Sequence, residues 1–529
     1  MSTEIRGGAG DGLRRDILTT LLPGFEGPDA PAWLVELLGQ GLGGVCLFGT
    51  NVQSPAQLAG LTRRLREANP DAVVAIDEEG GDVTRLFADR GAPYPGNAVL
   101  GRIDDVALTR SIGRAVGEAL AAVGCTMTFA PDADINSNPS NPVIGVRSFG
   151  ASPEPVAHHT AAWVEGVQSA GIDASAKHFP GHGDTATDSH LALPVVDLPL
   201  EQLRERELAP FRAAIAAGTR SIMTSHILLP QLDAEQPATL SPRILQRLLR
   251  GELGFEGVIV SDALDMAGAS GAHGIPEAAV RALVAGCDLL CIGTGNTAPQ
   301  LEEIVAAIAD AVASGRLAVE RVADAAARVR SLASRHPAPS ETPSPQIVPG
   351  ELPMDLGAWI AASFDVADGV LDRLAGAGRI GTIVRVDTAA NIAVGDVPWG
   401  PFALRSEVDS DRARTMPAWL ADAEVVALDA TTPIRDAGAL EGPVLVVGKD
   451  LHRHAFAVAA IARLRETRAA DVVTVDMGWP SDDRAFADIS TFGASRAVAE
   501  AFVVMVERAL AASGSAPASA PMSAPVEAP

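Results

Sequence analysis

Short, almost wholly apolar runs recur at 44–48, 72–76, 125–129, 174–176, 221–225, 258–260 and 288–292, and longer amphipathic stretches separate them. Runs of this length without polar alternation suit strands covered on both faces. The stretches between them, such as 55–69, 105–123, 153–170 and 242–253, have helical spacing, several with proline in the first turn. Alternating strand and helix builds parallel βαβ units, because parallel neighbours need a crossover long enough to hold a helix. Seven such strands fall one short of eight, so the economical fold is a (β/α)8 TIM-type barrel, imperfect in its early strands.

Polar residues sit where those runs end. Asp77 follows one, Asp132 and Asp134 another, Lys177 and His178 a third, His226 a fourth and Asp262 a fifth. In a barrel all of them face the carboxyl-terminal rim, where barrel enzymes carry their chemistry. The densest group lies in Lys177-His178-Phe179-Pro180-Gly181-His182-Gly183-Asp184-Thr185, continued by Asp188-Ser189-His190. Pro180 and its glycine neighbours exclude a helix, so this segment reads as a loop leaving the run at 174–176. It could be a solvated connection. It could hold a metal through His178 and His182, but a helical ligand pair needs an unbroken turn, and Pro180-Gly181 interrupts it. It could also clamp a substrate, with Asp188 orienting His190 for proton transfer beside a leaving oxygen.

These residues resemble the signature loop of family 3 glycoside hydrolases of the bacterial β-N-acetylglucosaminidase type. Four further segments fit the same family in the same order: Ile76-Asp77-Glu78-Glu79-Gly80-Gly81 with Arg85, Phe129-Ala130-Pro131 running to Asn136-Ser137-Asn138-Pro139, Val143 to Gly150, and Ile259 to Met266. The resemblance covers roughly residues 15–335 and weakens after 350. It implies a retaining exo-β-N-acetylglucosaminidase acting on cell-wall-derived or related glycosides, as in peptidoglycan recycling. Asp262 would be the nucleophile and His190, oriented by Asp188, the acid/base. Asp77, Arg85, Arg147, Lys177 and His178 would contact the terminal N-acetylglucosamine. An uncharged imidazole base also admits an anionic attacker, so a phosphorylase using inorganic phosphate is the alternative. A silent sugar-binding protein would have no need of Asp262 or the Asp188/His190 pair. No cofactor and no metal are expected.

The residues leave other roles open. Asp262 could cap the next helix, with Asp265 as a rival nucleophile, and Arg85 and Arg147 could form internal salt bridges. Asn136, Ser137 and Asn138 read as loop supports, and His182 and Asp184 as internal ties of the 177–190 loop.

At 529 residues and 47% hydrophobic the chain has material for two domains, and a formal charge of −25 argues against nucleic acid or an anionic membrane as partner. Met1 to Gly8 lacks the apolar core of an export signal and no run approaches a membrane span, so the expected location is cytoplasmic. Cys46, Cys125, Cys287 and Cys291 lie in or beside apolar runs and read as buried reduced thiols. The expected domains are a barrel over 1–335, a proline-rich linker over 336–352, an α/β three-layer sandwich over 353–511 and a disordered Ala/Ser/Pro tail over 512–529. Apolar runs at 381–386, 423–428, 444–447 and 471–475 supply the sandwich's parallel strands. Gly395-Asp396-Val397-Pro398 and Gly448-Lys449-Asp450 lack a full phosphate-binding spacing and read as turns or helix caps.

Overall fold

A computed structural model of the chain describes residues 4–185, 193–271, 273–336, 352–405, 416–434 and 436–512. Asp188 and His190, the linker residues 337–351 and the tail residues 513–529 lie outside the described residues.

Eight parallel strands form the N-terminal domain: β1 (Leu21–Pro23), β2 (Gly44–Leu47), β3 (Val73–Ile76), β4 (Met127–Thr128), β5 (Asp173–Phe179), β6 (Ser221–Thr224), β7 (Val258–Val260) and β8 (Leu290–Gly293). Ladders join β2 through β7 in chain order, a parallel bridge from Val260 to Leu289 carries the sheet on to β8, and β8 pairs with β1. Near the remaining seam, the Gly43 N–H donates to Leu18 O at 3.0 Å. The result is the (β/α)8 barrel that the alternation predicts.

Alternation along the strands divides the core in two. Leu22, Cys46, Val73, Ala75, Met127, Val260 and Cys291 pack together in one cluster, while their neighbours Val45, Leu47, Val74, Ile76, Ile259 and Ile292 belong to another that includes helix residues. Successive side chains on a strand point to opposite faces, so the first set fills the barrel and the second packs under the surrounding helices. The helices start where local chemistry allows. Ser54 accepts from the Gln57 N–H ahead of Pro55–Ala68, and Asp105 accepts from the Ala107 and Leu108 N–H groups ahead of Val106–Ala122.

The second domain is a six-stranded sheet in the order β11-β10-β12-β13-β14-β9, built from β9 (Asp365–Val366), β10 (Thr382–Val386), β11 (Glu424–Leu428), β12 (Val444–Gly448), β13 (Val472–Asp476) and β14 (Ile489–Ser490). All its pairings are parallel except β14 with β9. Ile383, Leu445 and Val447 pack with Phe502 and Val506 of helix Arg496–Ala511, whereas Val384, Val444 and Val446 pack with Ile461 and Leu464 of helix Ala455–Arg468. Helices on both faces make three layers. The two domains are joined by the Ala494 N–H donating to Asp82 at 2.8 Å and by Arg102, whose guanidinium lies 3.9 Å from the Phe492 ring centroid. No helix among the described residues is long and apolar enough to cross a membrane.

Candidate active site

The carboxyl ends of the barrel strands open on a cavity of about 600 Å³ bordered by Asp77, Arg85, Arg147, Lys177, His178 and Asp262. Six of the eight residues expected in the site therefore meet there. Lys177 and His178 are delivered by the strand itself, because β5 runs three residues beyond the expected end at 176. The extension is held by the Ala133 N–H donating to Lys177 O at 2.6 Å and the Lys177 N–H donating to Pro131 O at 3.0 Å. The Lys177–His178 and Phe179–Pro180 peptide bonds are cis.

Charges of alternating sign form a chain along this wall. Lys177 Nζ lies 2.7 Å from Asp77 Oδ1 and 2.8 Å from Glu79 Oε1. Arg147 grips Glu79 with two prongs, at 2.7 Å to Oε1 and 3.0 Å to Oε2, donates to Val143 O at 3.2 Å and reaches within 3.4 Å of Asp132 Oδ2. Arg147 thus has the internal salt bridge left open by the sequence, while still bordering the cavity. Burial alone would raise the Glu79 carboxyl, but the Arg147 and Lys177 charges outweigh it and hold it below the ordinary carboxylate range. Burial, reinforced by Asp134, pushes Asp132 well above that range against the pull of Arg147. Asp77 and Glu79 thus face Lys177 and Arg147, two carboxylates against two cations.

His178 Nδ1 pairs with Asp134 Oδ2 at 2.6 Å, and the other Asp134 oxygen accepts the His182 N–H at 2.6 Å. A carboxylate on Nδ1 fixes the ring's tautomer and leaves Nε2 as its remaining polar atom. Glu78, fully buried, accepts from Thr84 Oγ1 at 2.9 Å and from the Arg85 and Leu86 N–H groups at 2.9 and 3.0 Å. It thereby holds the turn that presents Arg85, and burial pushes its carboxyl up to about 7 against those bonds. Arg85 then donates to Ala393 O at 2.7 Å and Val394 O at 3.2 Å. Ile392 and Ala393 border the cavity, so the second domain supplies part of the site's wall.

Within the 177–190 loop, His182 Nδ1 bonds Thr185 Oγ1 at 3.0 Å, the internal tie expected of it, whereas Asp184 ties the loop outward by pairing with Arg206 at 2.6 Å. Burial lowers the His182 ring to about 4, which keeps it neutral at physiological pH. Asn141 donates to His182 O at 2.9 Å and Gly183 O at 3.0 Å. Gly183 lies so close to β4's following loop that a Cβ would fall 1.6 Å from Ile135 O, and Gly181 takes φ 130°, which L side chains rarely adopt. Asn136 accepts the Gly145 N–H at 3.2 Å, consistent with a loop-holding role.

Asp262 follows β7, donates its N–H to Thr224 Oγ1 at 3.2 Å and accepts the Ala263 N–H at 2.8 Å. It caps no helix, since the next one, Ala267–Ser270, has Met266 at its cap. Asp265 also borders the cavity but accepts the Thr294 N–H at 3.2 Å and packs on Gly293, where a Cβ would meet its Oδ2 at 2.0 Å. His226 is buried between Thr239 Oγ1 and Ala263 O, each at 2.9 Å, and does not border the cavity.

Glu79, Glu78 and Asn141 are the contributors to which sequence reasoning gave no role, while Asp134, placed on the rim by its strand-end position, proves to be the partner of His178. Adjacent carboxylates directly after an apolar strand were the available signal for the first two, since buried charges demand partners. Among the described residues, Asp132, Asp134 and His178 have ligand atoms within 4.8 Å of one another and could hold a metal ion. The surroundings oppose a cation there: Asp134 is already bonded to His178, and an ion at Asp132 would stand beside the Arg147 guanidinium. All four cysteines are free and buried.

A barrel whose strand ends converge on a charged rim cavity has the anatomy of a (β/α)8 enzyme. Residues 31–332, more than half of the 529-residue chain, match the glycosyl hydrolase family 3 N terminal domain, and the chain belongs to that family. It is 38% identical over 334 residues to a β-hexosaminidase A of Pseudoalteromonas piscicida, a match that covers 58% of this chain and 56% of that protein. It is 39% identical over 274 residues to a β-hexosaminidase of Methylococcus capsulatus, covering 51% of this chain and 81% of the relative. Among solved structures, a family 3 β-N-acetylglucosaminidase from Paenibacillus sp. str. FPU-7 superposes with a TM-score of 0.80 at 30% identity, covering 95% of this chain and 96% of that one. The second domain therefore belongs to the shared architecture. A β-glucoside phosphorylase superposes with a TM-score of 0.71 at 19% identity, a likeness of fold alone.

Proposed function

We propose that the protein is a retaining exo-β-N-acetylglucosaminidase that removes terminal N-acetylglucosamine from cell-wall-derived or related glycosides. The observation that carries this is Asp262, at a strand end, facing the same cavity as Asp77, Lys177 and His178 in a family 3 chain. The names of the β-hexosaminidase relatives and of the Paenibacillus β-N-acetylglucosaminidase support the choice of sugar. The free cysteines support a reducing, cytoplasmic setting.

In the proposed mechanism, Asp77 accepts from sugar hydroxyls, while Arg85, Arg147, Lys177 and His178 donate to hydroxyl and carbonyl oxygens. An Asp262 carboxylate oxygen attacks the anomeric carbon as the glycosidic C–O bond breaks, and His190 gives its proton to the departing oxygen. The neutral imidazole, oriented by Asp188, then takes a proton from a water molecule whose oxygen displaces Asp262 from the sugar. One water is consumed and both groups return to their starting states. The roles of His190 and Asp188 rest on the sequence motif.

Turnover of an aryl N-acetyl-β-glucosaminide, with and without inorganic phosphate, tests this. Free N-acetylglucosamine should form at a rate indifferent to phosphate, and Asp262→Ala should lower kcat by about 10⁴-fold or more. N-acetylglucosamine 1-phosphate as product, or near-normal turnover in Asp262→Ala, would overturn it.

A further inference from the structure

Asn141 stands between the 177–190 loop and the second domain. Its Nδ2 donates to His182 O at 2.9 Å and Gly183 O at 3.0 Å and lies 3.3 Å from Thr185 Oγ1, while its Oδ1 accepts the Val143 and Ile144 N–H groups, each at 2.9 Å. An amide side chain has two N–H donors and one carbonyl oxygen with two lone pairs, so both ends of Asn141 are fully used. The residue is buried, and turning the amide would strand those donors and acceptors away from water. The carbonyls of His182 and Gly183 therefore follow the 141–144 segment wherever it is placed.

The second domain grips that segment at two points. Arg453 donates to Asn141 O at 2.8 Å, and Asn391 Nδ2 donates to Pro142 O at 3.1 Å and Val143 O at 3.2 Å. Arg453 is itself tied to the sheet. Asp476, the last residue of β13, accepts the Asp450 N–H at 2.8 Å and the Leu451 N–H at 3.0 Å, and the Arg453 N–H donates to Asp450 O at 2.9 Å. Hydrogen bonds thus lead from β13 through Arg453 and Asn141 to the loop that goes on to Asp188 and His190. Neither Arg453 nor Asn141 borders the active-site cavity, so any effect they have on the reaction is transmitted. We propose that Arg453 and Asn141 are positioning residues for the proton donor, and that docking of the second domain sets through them where the 177–190 loop stands. The inference rests on the acid/base role proposed above for His190. A general acid works only within hydrogen-bond reach of the departing oxygen, and a displacement of about 1 Å can cost about 10²-fold in rate.

The test uses phenyl and dinitrophenyl N-acetyl-β-glucosaminides, because the phenyl leaving group needs a proton and the dinitrophenyl group does not. The readout is the ratio of kcat/KM, phenyl over dinitrophenyl. His190→Ala should lower it by about 10²-fold or more, the worth of general acid catalysis. Arg453→Ala should lower it by about three- to tenfold, the effect of one hydrogen bond, and Arg453→Lys, which can still donate to Asn141 O, should restore most of the ratio. Asn141→Asp keeps the acceptor for Val143 and Ile144 but turns an oxygen toward the two loop carbonyls, so its fall should be at least as large. In a His190→Ala background neither substitution should lower the ratio further, since the group they place is gone. Loosened packing alone would slow both glycosides in proportion. A ratio that His190→Ala lowers but Arg453→Ala and Asn141→Asp leave unmoved would overturn the relay alone, as would undiminished falls in the His190→Ala background. A ratio unmoved by His190→Ala would overturn the acid/base role and the relay together.

Discussion

Replacing Glu79 with glutamine removes the anion at the centre of the buried array while keeping its shape. Glu79 Oε1 serves both Arg147 and Lys177, at 2.7 and 2.8 Å, and Oε2 serves Arg147 Nε at 3.0 Å. In its better orientation the amide oxygen takes the Oε1 position, so the amide NH2 confronts an N–H donor and one bond to a charged partner is lost, worth about 1.5 to 3 kcal/mol. Two buried cations also lose their shared counter-charge. The sum should reach about 3 to 5 kcal/mol at pH 7, the usual loss when one partner of a buried pair is removed.

Urea unfolding followed by circular dichroism would measure that difference, and pH supplies an internal check. Glu79 is held below its ordinary value of 4.5, so its contribution is present above that pH and is lost as pH falls toward the folded value. The gap between wild type and Glu79→Gln should therefore be full at pH 7 and narrower by about 1 kcal/mol at pH 4. A gap under about 1 kcal/mol at pH 7 would refute the idea that Glu79 organises the array, because even one lost charged bond exceeds it.

Other perturbations separate the remaining roles. His190→Ala should slow glycosides with poor leaving groups far more than activated aryl glycosides, and azide should rescue the latter to give a β-glycosyl azide; equal losses on both would move the proton donor elsewhere. Glu78 is raised from 4.5 to about 7, so its stabilising contribution is full below 4.5 and lost as pH rises through 7. Glu78→Gln should accordingly gain on the wild type by about 3 kcal/mol between pH 4.5 and 8 in urea midpoints, and parallel curves would count against the shift. Activity should survive exhaustive chelation; loss that zinc restores would assign Asp132, Asp134 and His178 to a metal.

What the sequence could and could not reveal follows from range. Seven barrel strands were legible as apolar runs, whereas β1 has three residues, one of them Pro23, and β9 and β14 have two each, too short for a periodic signal. Strand-end position put Asp77, Lys177, His178 and Asp262 on one rim, because in a parallel barrel every carboxyl end faces the same way. Pairing across strands was not legible. Glu79 and Arg147 are 68 positions apart, and Arg85 reaches carbonyls more than 300 residues away. Such pairings depend on barrel curvature and domain docking, which no local pattern encodes.

The buried array also bears on why groups proposed to bind the sugar are locked in ion pairs within the protein itself. A lysine or arginine free in the cavity would lose rotamer entropy on gripping a ligand, about 2 kcal/mol for each. Lys177 and Arg147 have already lost it, because Glu79 fixes both. Arg85 is fixed differently, between the Glu78-held turn and the carbonyls of 393 and 394. A barrel without the second domain would leave that guanidinium without those two acceptors, and the cavity without Ile392 and Ala393. The second domain therefore shapes the rim cavity through the 391–394 loop, which fixes Arg85, and it also reaches the barrel's 141–147 segment through Arg453. Asn391 of the same loop donates to Pro142 O at 3.1 Å and Val143 O at 3.2 Å, so one short segment fixes both Arg85 and the barrel loop that carries Arg147.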